Sequence, residues 1–149
     1  MSRETVLCDV NIWFTLTVAE HVQHRTVLRW FDQVTDAASV LFCRATEQSF
    51  LRLLTTRAVM HGVQRDPLTN AQAWAVLEAL RGDDRVQSLT TEPAGLEQYW
   101  AEYAARSPSS PKLWMDAYLA AFARAGGHGL VTTDGAFTQF AGLNARVLG

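Results

Sequence analysis

Four acidic residues stand where a predicted strand ends or a predicted helix begins. They are Asp9, Glu47, Asp116 and Asp134. Asp9 and Asp134 directly follow apolar runs with the length of buried strands, whereas Glu47 and Asp116 lie at the starts of helical patterns. Ligands of parallel α/β proteins bind beyond the carboxyl ends of the strands. The spacing therefore predicts that these carboxylates meet at one edge of a sheet.

Apolar neighbours distinguish these acids from ordinary surface acids. Asp9 is enclosed by residues 6–8 and 10–14, and Glu47 begins a strongly apolar helix. Asp116 is predicted at the edge of a core stripe. The stripe consists of Met115, Tyr118, Leu119 and Phe122. An acid at such a position often only forms a turn or interacts with the helix dipole, but a half-buried acid without a basic partner is costly.

Oxygen donors with no His or Cys among them are the ligands that Mg²⁺ or Mn²⁺ prefers, and these ions bridge readily to phosphate. The predicted chemistry is therefore metal-assisted hydrolysis of a phosphodiester. Two basic residues precede the acids closely in sequence, Arg44 before Glu47 and Lys112 before Asp116. Each of them either contacts a substrate phosphate or is a solvated surface charge, and the surface charge is the more frequent case.

Two tryptophans lie near the acids in sequence. Trp13 follows Asp9 and Trp114 precedes Asp116. An aromatic ring beside a nuclease site can stack on an RNA base, although packing in the core is the commoner role of a tryptophan. The sequence leaves both roles open.

The elements that must position these side chains alternate between strands and helices. Strands are predicted at residues 5–8, 39–43, 86–89, 129–132 and 145–148. Helices are predicted at residues 11–18, 25–35, 46–56, 70–81, 93–103, 113–125 and 136–140, with Thr46 as a cap and Pro93 as a first residue. Alternation of this kind predicts a three-layer α/β domain with a mostly parallel sheet of about five strands.

Composition limits the class of protein. The 149 residues are 48% hydrophobic and 19% charged, which fits one folded domain over residues 1–149 and excludes intrinsic disorder. No apolar run is long enough to cross a membrane. Cys8 and Cys43 are far apart, so we expect buried, reduced thiols in a cytoplasmic protein. The net charge of −2 argues against a basic nucleic-acid coat but is compatible with an enzyme that meets RNA through a local patch.

Four segments together resemble the acidic motifs of PIN-domain ribonucleases. They are residues 7–11 (LCDVN), 46–53 (TEQSFLRL), 115–119 (MDAYL) and 130–134 (LVTTD). Their order, their spacing and the chain length are most similar to the VapC-like toxins of prokaryotic toxin–antitoxin pairs. The resemblance implies a homodimer, dependence on Mg²⁺ or Mn²⁺, internal cleavage of RNA, and a small antitoxin as partner.

The resemblance also assigns roles to individual residues. All four acids become metal-binding catalytic residues. Asn11 becomes a residue that orients Asp9 or a metal-bound water, although the cap of a helix is an alternative for it. Thr132 supports the site from the last strand before Asp134. The predicted helices 46–56 and 70–81 are candidates for the groove that receives an antitoxin helix.

Two other classes of protein remain open from the residues alone. A phosphotransferase of the haloacid-dehalogenase type would use Asp9 as a nucleophile, but it normally has a second Asp at the position that Asn11 occupies. A PIN-like module that binds partners without catalysis is the other alternative, and the presence of all four acids argues against it.

Overall fold

A computed structural model describes residues 4–149 of the protein. Five parallel strands form its centre. The strands are β1 (Val6–Cys8), β2 (Val40–Cys43), β3 (Val86–Leu89), β4 (Gly129–Thr132) and β5 (Ala145–Val147). Their order across the sheet is β3-β2-β1-β4-β5, and in the centre Leu7 of β1 pairs with Leu41 and with Leu130. The predicted parallel sheet is confirmed, and every pairing is parallel.

Helices cover both faces of this sheet. They are α1 (Val10–Thr17), α2 (His24–Asp32), α3 (Arg44–Thr55), α4 (Arg57–His61), α5 (Asn70–Arg81), α6 (Leu96–Ala104) and α7 (Leu113–Gly126), followed by a 3-10 helix (Gly135–Gln139). Successive side chains of a strand point to opposite faces. Leu41 accordingly joins the core under α6 and α7, whereas Phe42 joins the core under α1 and α3. The result is the predicted three-layer arrangement.

Several element boundaries differ from the prediction because local hydrogen bonds outweigh the apolar pattern. Helix α3 begins at Arg44, and Thr46 is not its cap: the Thr46 hydroxyl accepts a hydrogen bond from the backbone N–H of Cys43 at 2.9 Å. Helix α6 begins at Leu96, not at Pro93, because Gly95 directly before it has a φ of 86°. The predicted helix at 25–35 ends at residue 32, and the five residues of α4 are too few for a periodic signal.

The exposure of individual side chains tests the predicted core. Met115 is 45% exposed and does not belong to the predicted core stripe; Leu113 and Ala117 occupy the buried positions of that turn instead. Cys8 and Cys43 are buried free thiols, as expected. Within residues 4–149, none of the helices combines the length and the apolar character that a membrane span requires.

Trp13 lies wholly inside the protein and packs flat on Phe42. The ring centroids are 3.7 Å apart, the planes differ by 9°, and Trp13 has no exposed surface. The stack joins α1 to β2, so it helps to hold the start of α1 over the sheet. Of its two possible roles, Trp13 therefore has the one in the core.

We expect Trp13→Ala to lower the free energy of unfolding by about 3–5 kcal/mol, because the substitution removes a large buried ring and leaves a cavity. Urea denaturation measures the change. Trp74→Ala is the matched control and should have a clearly smaller effect, since Trp74 is 46% exposed and its loss removes much less buried surface. Equal effects of the two substitutions would contradict the core role of Trp13.

Candidate functional site

Asp9 occupies the point where β1 ends and α1 begins. Its backbone N–H donates to the Val131 carbonyl at 3.0 Å, so the backbone pairing with β4 continues one residue past the strand. The side chain is buried, and Asp9 as a whole is 5% exposed. Its Oδ2 accepts a hydrogen bond from the Thr132 hydroxyl at 2.9 Å. Thr132 thus makes the contact that its expected supporting role requires.

Asp134 is connected to the same hydroxyl from the other side. The Asp134 backbone N–H donates to Thr132 Oγ1 at 3.0 Å, which leaves the hydroxyl hydrogen free to point at Asp9. The Asp134 carboxylate caps the 3-10 helix, accepting from the Ala136 backbone N–H at 2.9 Å. These bonds hold two of the predicted acids at the ends of adjacent strands.

Asp116 adds a third carboxylate from the first turn of α7. Burial raises its pKa, and the charge of Asp134 raises it further. Burial also raises the pKa of Asp9, to about 6, against the opposing hydrogen bond from Thr132, and the charges of Asp116 and Asp134 add to the increase. The structure therefore brings together three of the four predicted acids, close enough to disfavour one another's ionisation.

An open cavity of about 400 Å³ gives access to this acid cluster, defined as Asp9, Asp116 and Asp134. Its lining includes Asp116 and Asp134 together with two basic residues, Lys112 and Arg106. Among residues 4–149, no Lys, Arg or His forms an ion pair with a carboxylate of the cluster. Lys112 thus lines the cavity beside Asp116 and Asp134, and its side chain is exposed; this position is compatible with both of its possible roles.

The donor set of the acid cluster fits a hard divalent cation. It offers only carboxylate oxygens, it lacks a cationic partner within the described chain, and the mutual repulsion is what a bound cation would relieve. Across residues 4–149, however, the side chains do not already form a set of three or more ligands. An ion held by fewer than three of these carboxylates would complete its shell with water or a substrate phosphate, as Mg²⁺ commonly does.

Glu47, the fourth predicted acid, has different partners. Its Oε1 accepts from Arg44 Nη1 at 2.9 Å. Its Oε2 accepts from Arg81 Nε at 2.9 Å and from Ser88 Oγ at 2.8 Å, and Arg81 Nη2 lies 2.7 Å from the same oxygen. The carboxylate is 2% exposed, so this charge is buried but well compensated.

Arg81 and Ser88 are functional candidates that the sequence did not reveal. Arg81 ends α5 and Ser88 lies in β3, 34 and 41 positions from Glu47. A basic residue in the last turn of a helix is ordinary on dipole grounds, so it carries no signal of its own. Asn11 is the second residue of α1 and is exposed, whereas the cap of that helix is Asp9; the alternative role of Asn11 as a cap is therefore wrong.

Comparison with known proteins agrees with the geometry. The family profile described as PIN domain matches residues 6–143. Ribonuclease VapC41 of Mycobacterium tuberculosis is 50% identical over 143 residues, which are 96% of this chain and 98% of that protein. Ribonuclease VapC31 of the same species is 29% identical over 138 residues, or 92% of this chain and 94% of that one.

Solved structures share the fold at lower identity. The crystal structure of Mycobacterium tuberculosis VapC20, a toxin that cleaves the sarcin-ricin loop, superposes with a TM-score of 0.66 at 20% identity, covering 97% of this chain and 100% of that one. VapBC2 from Rickettsia felis, bound to a DNA fragment from their promoter, also gives 0.66, at 12% identity and with 97% and 99% coverage. The chain belongs to the PIN-domain family, among the VapC ribonucleases.

Proposed function

We propose that this VapC-type PIN-domain protein is the toxin of a toxin–antitoxin pair and cleaves RNA internally with the help of a divalent metal ion. The observation that carries the proposal is the acid cluster: three carboxylates at the carboxyl edge of a parallel sheet, without a cationic partner in the described chain. The ribonuclease names of the two relatives support the reaction type.

In this proposal Asp9, Asp116 and Asp134 hold Mg²⁺ or Mn²⁺. The ion, when bound, activates water and stabilises negative charge on the attacked phosphate. Thr132 orients Asp9 through its hydrogen bond, and Lys112 attracts the phosphate into the cavity. A point charge on a flexible stem suits that task because it tolerates many phosphate positions.

Glu47 receives a modified role in the same proposal. Its two oxygens are occupied by Arg44, Arg81 and Ser88, so we assign it the positioning of two guanidinium groups near the site and not direct contact with the ion. Arg44 is 55% exposed, and Glu47 holds its Nη1, so the other guanidinium nitrogens can contact a substrate phosphate.

The partners are also proposals. An RNA substrate follows from the reaction type, and a small antitoxin is supported by neighbours of the same fold that were solved as VapBC assemblies from Rickettsia felis and Haemophilus influenzae. A homodimer and the antitoxin groove at α3 and α5 remain expectations from the family. A binding module without catalysis is the competing function, and it predicts no cleavage of RNA.

Asp9→Asn and Asp116→Asn should abolish cleavage of a structured RNA in Mn²⁺ and should also abolish the growth arrest that the wild-type chain causes when expressed alone. Each substitution removes a proposed metal ligand at nearly constant shape. The control is Asp66→Asn, because the Asp66 carboxylate is fully exposed on another loop. Retained growth arrest in both site variants, at equal protein levels, would exclude metal-dependent cleavage as its cause.

Removing a negative charge should have opposite effects on stability in the acid cluster and at the arginine-paired Glu47. In EDTA at neutral pH, Asp116→Asn should raise the melting temperature, because it removes repulsion within the acid cluster. Glu47→Gln should lower the free energy of unfolding by about 2 kcal/mol, because it weakens charge-assisted hydrogen bonds to two arginines. A lower melting temperature for Asp116→Asn would show that Asp116 is a paired structural acid.

The raised pKa of Asp9 gives the metal-free protein a distinct dependence on pH. The folded protein holds this proton more tightly than the unfolded chain, so the contribution of Asp9 to stability is fully present below about pH 4 and is lost as pH rises to about 6. The expected fall is about 3 kcal/mol, at 1.4 kcal/mol per pKa unit. Urea denaturation of wild type and Asp9→Asn in EDTA isolates the contribution of Asp9, since the amide of the variant does not titrate in this range. A difference between the two proteins that stays constant over this range would refute the assignment.

A further inference from the structure

An aromatic groove of about 370 Å³ lies beside the acid cluster, on the other side of the first turn of α7. It is lined by Ala45, Trp100, Pro111, Trp114, Met115 and Tyr118. Trp114 is 55% exposed, in contrast to the fully buried Trp13. A tryptophan that leaves more than half of its surface in water is informative, because burial of such a ring is strongly favourable.

The packing of the groove leaves the Trp114 ring open but held in place. Trp100 meets it edge to face, with centroids 6.3 Å apart and planes at 76°. Trp100 also donates its indole N–H to the Trp114 backbone carbonyl at 3.1 Å, and Tyr118 packs against Trp100 at 5.7 Å and 87°. A flat ring that is rigidly supported from one side and open on the other can accept a second flat ring.

The groove and the acid cavity are lined by neighbouring residues at the start of α7. Pro111 lines the groove while its neighbour Lys112 lines the acid cavity. On α7, the exposed Met115 separates Trp114 from Asp116, since successive helical residues are about 100° apart. Trp114 and Asp116 are therefore about 160° apart around the helix, so a nucleic-acid strand with a phosphate at the acid cluster would cross Met115 and place at Trp114 a base that is not the immediate neighbour of that phosphate.

We propose that the aromatic groove binds an unpaired nucleobase of the RNA strand by stacking it on Trp114. The proposal rests on the proposed ribonuclease function and adds a subsite to it. Single-stranded RNA is commonly bound by stacking of bases on aromatic side chains, combined with cations along the backbone. Both components are present here. Ala45 and Pro111 line the groove, and the residues next to them in sequence, Arg44 and Lys112, have exposed basic side chains.

A polar pair at the groove favours a base over a purely apolar occupant. The Tyr118 hydroxyl donates to Glu92 Oε2 at 2.6 Å. Burial and the Glu92 carboxylate raise the pKa of Tyr118, so the hydroxyl stays protonated and keeps this bond. Glu92 is exposed and retains lone pairs that can accept from an exocyclic amino group, as carboxylates do with cytosine.

The size of the patch argues against a protein as its main occupant. Trp114 and Met115 together expose on the order of 200 Å², given the area of such side chains. A stable protein–protein interface buries about 800 Å² on each partner. The exposed apolar area of these two side chains suits one flat ring, and it is not by itself a sufficient docking face for a second copy or an antitoxin.

The test measures binding in EDTA, where cleavage does not occur. A fluorescent single-stranded RNA of about 12 nucleotides is titrated with wild type and with Trp114→Ala, Trp114→Leu and Trp114→Phe, and its perfect duplex serves as competitor. We expect Trp114→Ala and Trp114→Leu to bind the single strand about tenfold more weakly, as is usual for loss of one stacked base, and Trp114→Phe to recover most of the affinity. Trp74→Ala, which removes an exposed tryptophan outside the groove, should bind like wild type.

The outcomes separate this proposal from the proposed function. Unchanged binding by Trp114→Ala, or equal binding by the Leu and Phe variants, would overturn the nucleobase site, since leucine has no face for stacking. Conversion of a dimer to a monomer by Trp114→Ala, seen by light scattering, would assign the groove to a protein interface and also overturn it. Failure of wild type to cleave RNA in Mn²⁺ would instead refute the ribonuclease function, whatever the binding results.

Discussion

Repulsion among three carboxylates is the constraint around which this protein is organised. Asp9, Asp116 and Asp134 belong to three different elements, and burial together with their charges raises the pKa of Asp9 and of Asp116. The protein holds them together only because the backbone leaves little choice. Asp9 is fixed by strand pairing with Val131, and Asp134 is fixed by its cap of the 3-10 helix. The packed core thus stabilises an arrangement that electrostatics alone would disperse.

The carboxyl edge of the sheet consists of two electrostatically different halves. At β1 and β4 the acids are unpaired within the described chain, whereas at β2 and β3 the single acid Glu47 is enclosed by two arginines and a serine. A buried charge with several partners contributes rigidity, and a buried charge without partners contributes affinity for a cation. In the proposed mechanism, the half at β1 and β4 would bind the metal and the half at β2 and β3 would place the cationic side chains.

Sequence analysis could predict those features that arise from local periodicity. Parallel strands, their flanking helices and the location of Asp9 and Asp134 follow from apolar runs and from what comes directly after them. The partners of Glu47 could not be predicted, because Arg81 and Ser88 approach it only through the packing of α5 and β3. The opposite exposures of Trp13 and Trp114 could not be predicted either. Each tryptophan lies near one of the acids in sequence, and only the fold determines what packs against its ring.

The bond between Thr132 and Asp9 joins residues 123 positions apart, and this separation has a consequence for synthesis of the protein. Chains emerge from the ribosome with the amino end first, and contacts that are distant in sequence form last. A nascent chain that lacks β4 has neither Thr132 nor Asp134, so it has no complete acid cluster. In the proposed mechanism, which depends on the acid cluster, the nascent chain therefore cannot cleave RNA before β4 and Asp134 have been made.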